Sequence, residues 1–324
     1  MRDSPLIIIP CLNEAAHLPS LLAQLLRDSP DAPIVVADGG SSDRSRGIVA
    51  EVARDYPNVV LMDNPDRLQS AGVNRAVATY AGDRRWFVRV DAHCRYPESY
   101  VSRLVEAAAR RDVVSVVVPM VTEGHGCFQI GCAAAQNSLL GTGGSAHRHI
   151  GRGQFVEHGH HALMAVDAFK RVGGYNEAMS HNEDAELDCR LATEGRIWLE
   201  PACAITYFPR RTPRALWRQY YGYGKGRAQT IVLHRLRPRL RQMAPLAVPI
   251  ALLLAIFGAP LSPLFLVPLI GWAALCLGIG GAIAIRSRSL CSAAAGPAAM
   301  IMHLAWGCGY LIRRFGIRTN RVSQ

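Results

Sequence analysis

Short apolar runs alternate with helical patterns over the first 122 residues. The apolar runs are rich in β-branched residues, which is typical of strands buried on both faces. They lie at residues 6–9, 34–37, 59–62, 87–90 and 113–118. Apolar residues three and four positions apart predict helices between these runs, at 15–26, 43–54, 69–81 and 97–110. The alternation predicts an α/β domain, with a mostly parallel sheet and helices on both faces.

The pattern changes after residue 122. Residues 123–165 are rich in Gly and His, which predicts a loop region beside the site, with a helix at 127–140. Short helices are then expected at 167–172 and 185–193, followed by a strand at 196–199.

The last third of the sequence contains long uncharged stretches. No charged residue occurs between Ala244 and Ile285, and about 20 apolar residues are enough to span a bilayer. A Gly- and Pro-containing segment at 258–263 divides this stretch. We therefore expect spans at about 244–258, 264–285 and, from a further uncharged run, 291–312. The sequence thus divides into a soluble domain (1–230), a basic juxtamembrane linker (231–243) and a membrane domain (244–324), although a buried helical hairpin in a soluble protein remains an alternative.

Charge is distributed very unevenly along the chain. The 36 Lys and Arg and 25 Asp and Glu give a net charge of +11, but Glu200 is the last acidic residue. Because the later bases flank apolar stretches, they favour anionic lipid over nucleic acid as the partner. The nine cysteines show no pairing pattern, and their odd number predicts reduced thiols and a cytosolic main domain.

The arginines also indicate an orientation in the membrane. Four arginines at 235–241 precede the first expected span, and Arg286 and Arg288 follow the second. Because basic residues are retained in the cytoplasm, this pattern places the first domain there. Arg313 and Arg314 conflict with a third full crossing. Residues 291–312 are therefore either re-entrant or interfacial, or they are an exception to the rule.

Polar residues follow the first two expected strands. The first ends in Pro10-Cys-Leu-Asn13-Glu14, and the second ends in Asp38-Gly-Gly-Ser-Ser-Asp43. A carboxylate such as Asp38 can accept hydrogen bonds from a nucleobase, or it can simply cap its own turn. The glycine-rich signatures of dinucleotide-binding and P-loop proteins do not occur in the sequence.

Two further carboxylate motifs suggest metal binding and general-base catalysis. Asp91-Ala-His93 follows the fourth expected strand, where alternate side chains point the same way and can face one metal ion. A strand-end Asp beside a packed His is the alternative interpretation. Glu183-Asp184 lies in the first turn of an expected helix, where acidic residues stabilise the helix through its dipole. Alternatively, a carboxylate at this position could be the general base for a substrate hydroxyl.

The ordered set of these motifs resembles glycosyltransferase family 2, which has the GT-A fold. Gly173-Gly174-Tyr175 between the third and fourth motifs strengthens the resemblance, which covers residues 5–230. The segments at 158–162 and 181–186 are similar to those of succinoglycan-biosynthesis glycosyltransferases of bacterial exopolysaccharide pathways. In that branch Asp-Ala-His replaces the usual Asp-x-Asp.

The resemblance implies a role for each motif residue. Pro10, Asn13, Glu14, Asp38 and Asp91 are expected to bind the nucleotide-sugar, and Asp91 and His93 to hold a divalent Mg²⁺ or Mn²⁺ ion with the diphosphate. Asp184 is expected to be the catalytic base, with Glu183 positioning hydroxyl groups beside it.

Five further residues are expected near the acceptor. They are His160, His161, Gln219, Lys225 and Arg227. The segment that contains the last three does not match the family's Gln-x-x-Arg-Trp element, which favours the addition of a single sugar. An amphipathic helix at the membrane interface is an equally good interpretation of that segment.

The resemblance implies an inverting, metal-dependent hexosyltransferase. It would move a sugar, most simply glucose, from a UDP-sugar to a polyprenyl-diphosphate-linked saccharide. The expected location is the bacterial inner membrane, with several membrane passes and the catalytic domain in the cytoplasm. Two alternatives remain open: a polyprenyl-phosphate glycosyltransferase, and a non-catalytic membrane scaffold regulated by a nucleotide.

Overall fold

The computed structural model describes residues 4–143, 151–238 and 240–316, which form two units with separate cores. The first unit contains Met1–Val121 and Ser145–Tyr207, and the second contains Thr122–Gly144 and Phe208–Gln324. The second unit therefore begins before the expected boundary at 230, because the helix at 213–233 packs along the last helix of the chain.

An eight-stranded sheet forms the centre of the first unit. Its strands are β1 (Leu6–Cys11), β2 (Ile34–Asp38), β3 (Val59–Asp63), β4 (Trp86–Arg89), β5 (Ser115–Val118), β7 (Gln154–Val156), β8 (His160–Ala165) and β9 (Ile197–Leu199). The order is β3-β2-β1-β4-β8-β5-β9-β7. Strands β1 to β4 are mutually parallel, whereas β8 is antiparallel to both of its neighbours. A small separate sheet pairs β6 (Met120–Thr122) with β10 (Ile205–Tyr207).

Helices cover both faces of this sheet, as the sequence predicts. They are α1 (Leu18–Asp28), α2 (Ser45–Asp55), α3 (Gln69–Tyr80), α4 (Tyr100–Ala109), α7 (Val166–Arg171) and α8 (Glu183–Leu191). Ile7 and Ile9 of β1 belong to the core with α1, α2 and α4, whereas Leu6 and Ile8 belong to the core with α3, α7 and α8. This alternation explains the continuous apolar strands, since each fully buried Leu or Ile stabilises the fold by roughly 1.5–3 kcal/mol.

The expectation of a loop over residues 123–165 is wrong for part of this segment. Residues 160–165 form β8, a central strand of the sheet, and β7 lies at its edge. The strand is hidden in the sequence because it begins with His160 and His161, and its apolar run is therefore short. The predicted helix at 127–140 is also interrupted: it is present as α5 (Cys127–Gln136) and α6 (Leu139–Thr142).

The second unit is helical. Besides α5 and α6 it contains α9 (Pro213–Leu233), α10 (Leu240–Met243), α11 (Ala247–Gly258), α12 (Val267–Ser287) and α13 (Ala295–Phe315). Thr212 caps α9 by accepting a hydrogen bond from the backbone N–H of Ala215, and Pro213 occupies the first turn. Two segments, Pro263–Ser287 and Leu290–Phe315, are long and apolar enough to cross a membrane.

Helices α9 and α13 pack with their backbones in contact. A Cβ atom added at Gly224 would overlap the carbonyl oxygen of Trp306, and one added at Gly309 would overlap that of Tyr221. Only glycine fits at these two positions, because the obstructing atoms belong to the main chain of the opposite helix. The contact therefore fixes how these helices pack.

A disulfide bond joins α5 to the turn before α13. It links Cys127 to Cys291, whereas the other seven cysteines, all described, form no disulfide bond. The expectation of uniformly reduced thiols is therefore wrong for this pair. Its partners are separated by 164 residues, so spacing along the sequence gives no sign of the bond.

We expect Gly224→Ala to destabilise the second unit by about 1–3 kcal/mol, because the added methyl group meets backbone atoms. The measurement is the thermal unfolding midpoint of the detergent-solubilised protein. Gly278→Ala in α12 is the matched control, since a Cβ there meets no atom within 4 Å. Equal midpoints for the two variants would contradict the close packing of α9 on α13.

Candidate active site

Hydrogen bonds join the loops that follow β1 and β2. Asn13 has a left-handed backbone (φ 58°), and its side-chain oxygen accepts a hydrogen bond from the N–H of Ser42 at 2.8 Å. In return, the N–H of Asn13 donates to the hydroxyl of Ser41 at 2.8 Å. Asp43 accepts a hydrogen bond from the N–H of Ala15 at 3.0 Å. The polar residues that follow the first two strands thus belong to two loops that are joined by hydrogen bonds.

Asp38 organises its own turn. Its buried carboxylate accepts hydrogen bonds from the Ser41 hydroxyl at 2.5 Å, from the backbone N–H of Gly40 and from Arg46 at 2.8 Å. Burial alone would raise the pKa of Asp38, but the hydrogen bonds from Ser41 and Arg46 hold it below its usual value. Of the two interpretations of Asp38, the turn is realised in the structure. A role in base recognition would have to be combined with it.

Asp91 and His93 follow β4 and face other polar groups. The Asp91 carboxylate accepts hydrogen bonds from Gln69 at 2.7 Å and from Arg89 at 3.2 Å. The Nδ1 atom of His93 lies 3.0 Å from a carboxylate oxygen of Glu14. Burial would raise the pKa of Asp91, but Arg89 and neighbouring histidines hold it below its usual value. Asp91 is therefore a carboxylate, the form in which it could bind a cation.

The donor set of these residues fits a divalent cation that is shared with a diphosphate. The described residues contain no group of three or more His, Cys, Asp or Glu side chains that could hold a metal by themselves. Asp91 supplies a hard oxygen donor and His93 a partly exposed imidazole, while the remaining ligands of Mg²⁺ or Mn²⁺ normally come from water and phosphate.

Arg89 connects the candidate metal site to the candidate base. It is the last residue of β4 and is almost fully buried. Its Nε atom donates to Asp91, and its Nη1 atom donates to Asp184 at 2.6 Å. Burial would lower the pKa of Arg89, but Asp184 and Asp91 raise it well above its ordinary value. Arg89 was not among the residues expected from the motifs, although an arginine within an apolar strand is itself a sign of a buried ionic partner.

Asp184 and Glu183 begin helix α8. Burial would raise the pKa of Asp184, but the adjacent Arg89 and His161 keep it well below its usual value. By contrast, burial and the neighbouring Asp184 raise the pKa of Glu183. The preceding Asn182 has a left-handed backbone (φ 65°), which brings the chain sharply into the helix. The pair therefore presents one firmly ionised carboxylate and one that takes up a proton more readily.

Behind Asp184 lies a buried group that contains His161, Tyr175 and Asp188. The Nε2 atom of His161 lies 2.8 Å from Asp188, and its Nδ1 atom lies 2.6 Å from the Tyr175 hydroxyl. Asp188 also accepts a hydrogen bond from the N–H of Gly159. Burial would lower the pKa of His161, but Asp188 and Asp184 raise it above its usual value. His161, whose Nδ1 atom lies 3.5 Å from Asp184, therefore takes up a proton more readily than a free imidazole.

The residues expected near the acceptor fall into different places. His160 lies between two carboxylates, 3.6 Å from Asp91 and 3.9 Å from Asp184. His161 is fully buried, so its ring has no exposed atom for a substrate to contact directly.

The other three expected acceptor residues, Gln219, Lys225 and Arg227, lie on α9 of the second unit. Gln219 donates a hydrogen bond to Tyr223, and Arg227 donates to Gln242. Lys225 is exposed beside the ring of Tyr221. A role in acceptor binding stays a prediction for all of them.

Comparisons with known proteins agree with the geometry. A sequence model of the family "Glycosyl transferase family 2" matches residues 6–173. The succinoglycan biosynthesis protein ExoA of Rhizobium meliloti (strain 1021) is 50% identical over 314 residues, which are 95% of this chain and 94% of that protein.

Two solved structures resemble the fold. The mannosyltransferase PcManGT from Pyrobaculum calidifontis, in complex with GDP-Man and Mn²⁺, has a TM-score of 0.60 at 16% identity, over 97% of this chain and 88% of that chain. GalNAc-T7, with UDP, GalNAc and Mn²⁺, has a TM-score of 0.52 at 11% identity, over 71% and 47% of the two chains.

The charged pair of His161 and Asp188 makes stability depend on pH. Because the pKa of His161 is raised on folding, its contribution is fully present below the unfolded value near 6.5 and is lost as the pH rises through the folded value. We expect Asp188→Asn to lower the free energy of unfolding by about 3–5 kcal/mol at acidic pH and by less at alkaline pH. The groups that face this imidazole are Asp188, Asp184, Tyr175, Arg89 and His160.

Chemical denaturation of the wild-type protein and of Asp188→Asn between about pH 5.5 and 9, a range that includes the expected titration of His161, would measure this difference. Asp66→Asn is the control, since Asp66 is half exposed and pairs only with the partly exposed Arg75 in a surface contact. A stability difference for Asp188→Asn that does not change with pH would contradict a charged His161.

Proposed function

The chain belongs to glycosyltransferase family 2, and we propose that it transfers glucose from a UDP-sugar to a polyprenyl-diphosphate-linked saccharide during exopolysaccharide synthesis. The family makes the chain a glycosyltransferase, and the ExoA relative, similar over almost the whole length, supports the exopolysaccharide pathway. The observation that carries the catalytic assignment is the bond pattern of Arg89. It joins the Asp91 motif to Asp184, so the residues for the leaving group and for the attacking hydroxyl share one buried cluster.

Asp91 and His93 are the residues that would hold the divalent ion. When bound, such an ion stabilises negative charge that develops on the departing nucleoside diphosphate. The two similar structures described above both contain Mn²⁺, which supports a requirement for a divalent cation here. Glu14 accompanies His93 through its 3.0 Å contact and thereby connects the nucleotide loop to this site.

Asp184 is proposed to accept the proton of the acceptor hydroxyl. Arg89 and His161 hold the carboxylate ionised and fixed in place, which keeps an oxygen available as the hydroxyl attacks. A single displacement on the face opposite the diphosphate inverts the configuration at the anomeric carbon. Glu183, the less firmly ionised neighbour, would position the sugar hydroxyls by hydrogen bonding.

The loop pair after β1 and β2 is proposed to hold the nucleotide. Pro10 lies within β1, while Asn13 and Asp38 shape the loops by their hydrogen bonds. A UDP donor is favoured by the resemblance within the family. The GDP-mannose complex of PcManGT shows that the shared fold also accommodates guanine, so both bases belong in a donor screen.

The acceptor is proposed to be lipid-linked, which requires association with the membrane. The two long apolar segments and the 16 bases without an acid after Glu200 support this association with anionic lipid. His160 would face the acceptor beside Asp184, and the acceptor roles of Gln219, Lys225 and Arg227 on α9 stay predictions. The arginine pattern supports a catalytic unit on the cytoplasmic side of the bacterial inner membrane.

Asp184→Asn should reduce sugar transfer by about 10²–10⁴-fold, because the amide cannot take up the proton. Binding of UDP-sugar should be largely retained. Asp167→Asn, which changes an exposed acid in the first turn of α7, is the matched control and should leave transfer unchanged. Normal turnover by Asp184→Asn together with loss of turnover by Glu183→Gln would reverse the two assigned roles.

Removal of divalent cations should stop transfer, and addition of Mn²⁺ or Mg²⁺ should restore it. Asp91→Asn should raise the cation concentration needed for half-maximal activity by at least about tenfold, since it removes a charged ligand. The assay is detection of lipid-linked product by mass spectrometry, with monophosphate and diphosphate polyprenyl acceptors compared in parallel. Full activity in EDTA would contradict the metal assignment, and product from the monophosphate acceptor alone would favour a polyprenyl-phosphate glycosyltransferase.

A further inference from the structure

The two long apolar helices of the second unit have very different surroundings. Helix α12 exposes large apolar side chains over most of its length, including Val267, Ile270 and Leu275. In α13, by contrast, Pro297 is the one exposed residue between positions 295 and 311, all of which the structure describes. A helix that contacts lipid presents apolar side chains outward, whereas α13 is much more covered by protein than α12, with 44% of its apolar window buried against 11%. Length and composition alone therefore do not identify α13 as a membrane span.

The protein that covers α13 is itself charged. Helix α9, whose backbone touches α13 at Gly224 and Gly309, exposes Arg214, Arg218 and Lys225. Cationic side chains of this kind are excluded from the hydrocarbon core unless they are paired or reach water. Because the two helices pack directly on each other, α13 shares the position of α9 at the aqueous or headgroup level. The exposed Trp217 on α9 suits the same level.

The α11–α12 hairpin, in contrast, is suited to lipid. Its tip is uncharged and highly exposed, through Ile250, Leu253, Leu254, Ile256, Phe257, Leu261, Leu264, Phe265, Val267 and Ile270. The 12 residues of α11 rise by about 18 Å, which is shorter than the roughly 30 Å hydrocarbon core. An apolar helix of this length is typically a buried core helix or a re-entrant or interfacial segment, and the exposed side chains of α11 favour the membrane.

Helix α13 meets both arms of this hairpin just below its tip, where the Nε1 atom of Trp272 in α12 donates to Nδ1 of His303 in α13 at 3.3 Å. Gly307 of α13 lies against the carbonyl oxygen of Pro245, just before α11, and Gly296 lies against that of Cys276 in α12. The arginines of the unit lie outside the tip as well. Arg235 and Arg237 precede α11, Arg286 and Arg288 end α12, and Arg313 and Arg314 end α13.

We propose that the second unit enters the bilayer from one side only, with the tip of the α11–α12 hairpin, residues 250–270, inserted in the lipid and α13 held outside it against α9. Its partner is then a single leaflet with anionic headgroups, which the flanking arginines would contact. This inference rests on the proposed association with the membrane. It also removes the conflict that Arg313 and Arg314 pose for three crossings, since they then lie on the same side as the arginines that precede α11 and end α12.

Protease accessibility in the full chain tests this arrangement. One cleavage site is inserted between Pro260 and Leu261 at the hairpin tip, and another is appended after Gln324. In spheroplasts, where protease reaches only the outer face, neither site should be cut. In inside-out vesicles the C-terminal site should be cut, and the tip site should stay protected. Cleavage of the C-terminal site in spheroplasts would show that α13 crosses, and cleavage of the tip site there would show a fully spanning hairpin. Either result overturns the proposal.

Charged substitutions at the tip provide a second test. Phe257→Asp combined with Leu264→Asp should lower the ratio of membrane-bound to soluble protein by at least about tenfold. Tyr56→Asp, at a residue of the first unit that is 47% exposed, is the control and should leave the ratio unchanged. Retained UDP binding in the tip variant would show that the catalytic unit is folded.

An unchanged ratio in the tip variant would contradict insertion of the hairpin. Wild-type chain in the soluble fraction, as oligomers that cover the tip with a second copy, would overturn this proposal and the proposed membrane association together. Membrane-bound wild-type chain with an externally cleaved C-terminus would overturn this proposal alone.

Discussion

The buried guanidinium of Arg89 is the interaction on which the candidate site depends. It lies between Asp91 and Asp184, two carboxylates from distant parts of the chain that would otherwise repel each other at short range. A buried cation must be paired, and the charge of Arg89 in turn stabilises the ionised form of both carboxylates. The placement of α8 against the end of β4 is therefore an electrostatic requirement as well as a matter of packing. His161, whose pKa Asp188 raises, lies on the inner side of the same arrangement.

Much of the fold and of the site could be predicted from local patterns in the sequence. Strands β1 to β3 contain runs of β-branched residues, Asp38 and Asp91 lie at the ends of predicted strands, and Asp184 lies at the start of a predicted helix. The unpredicted features depend on partners far apart in sequence. Tyr175 and Asp188 gain their roles only because His161 reaches them within the fold, and β8 is concealed by the histidines at its start.

The second unit illustrates how hydropathy and surroundings differ as guides to membrane structure. The apolar character of α12 and α13 is similar enough that both pass as spans by composition. Their neighbours separate them, since Gly224 and Gly309 allow a charged helix to lie directly on α13. Small residues that permit close backbone approach occur in membrane and soluble bundles alike. The charge of α9, which packs on α13 through these glycines, is therefore what distinguishes α13 from a lipid-facing helix.

The interleaving of the two units along the chain has a consequence for the order of folding during synthesis. Helix α5 is translated before β8, yet its packing partner Ala294 and its disulfide partner Cys291 are made more than 150 residues later. The sheet of the first unit has all its strands once β9 at Ile197–Leu199 has left the ribosome. Residues 122–143 therefore cannot complete their packing until these partners have been made, whereas the first unit can fold earlier. Completion of the second unit is consequently a late, long-range step, set by the arrival of the last helix.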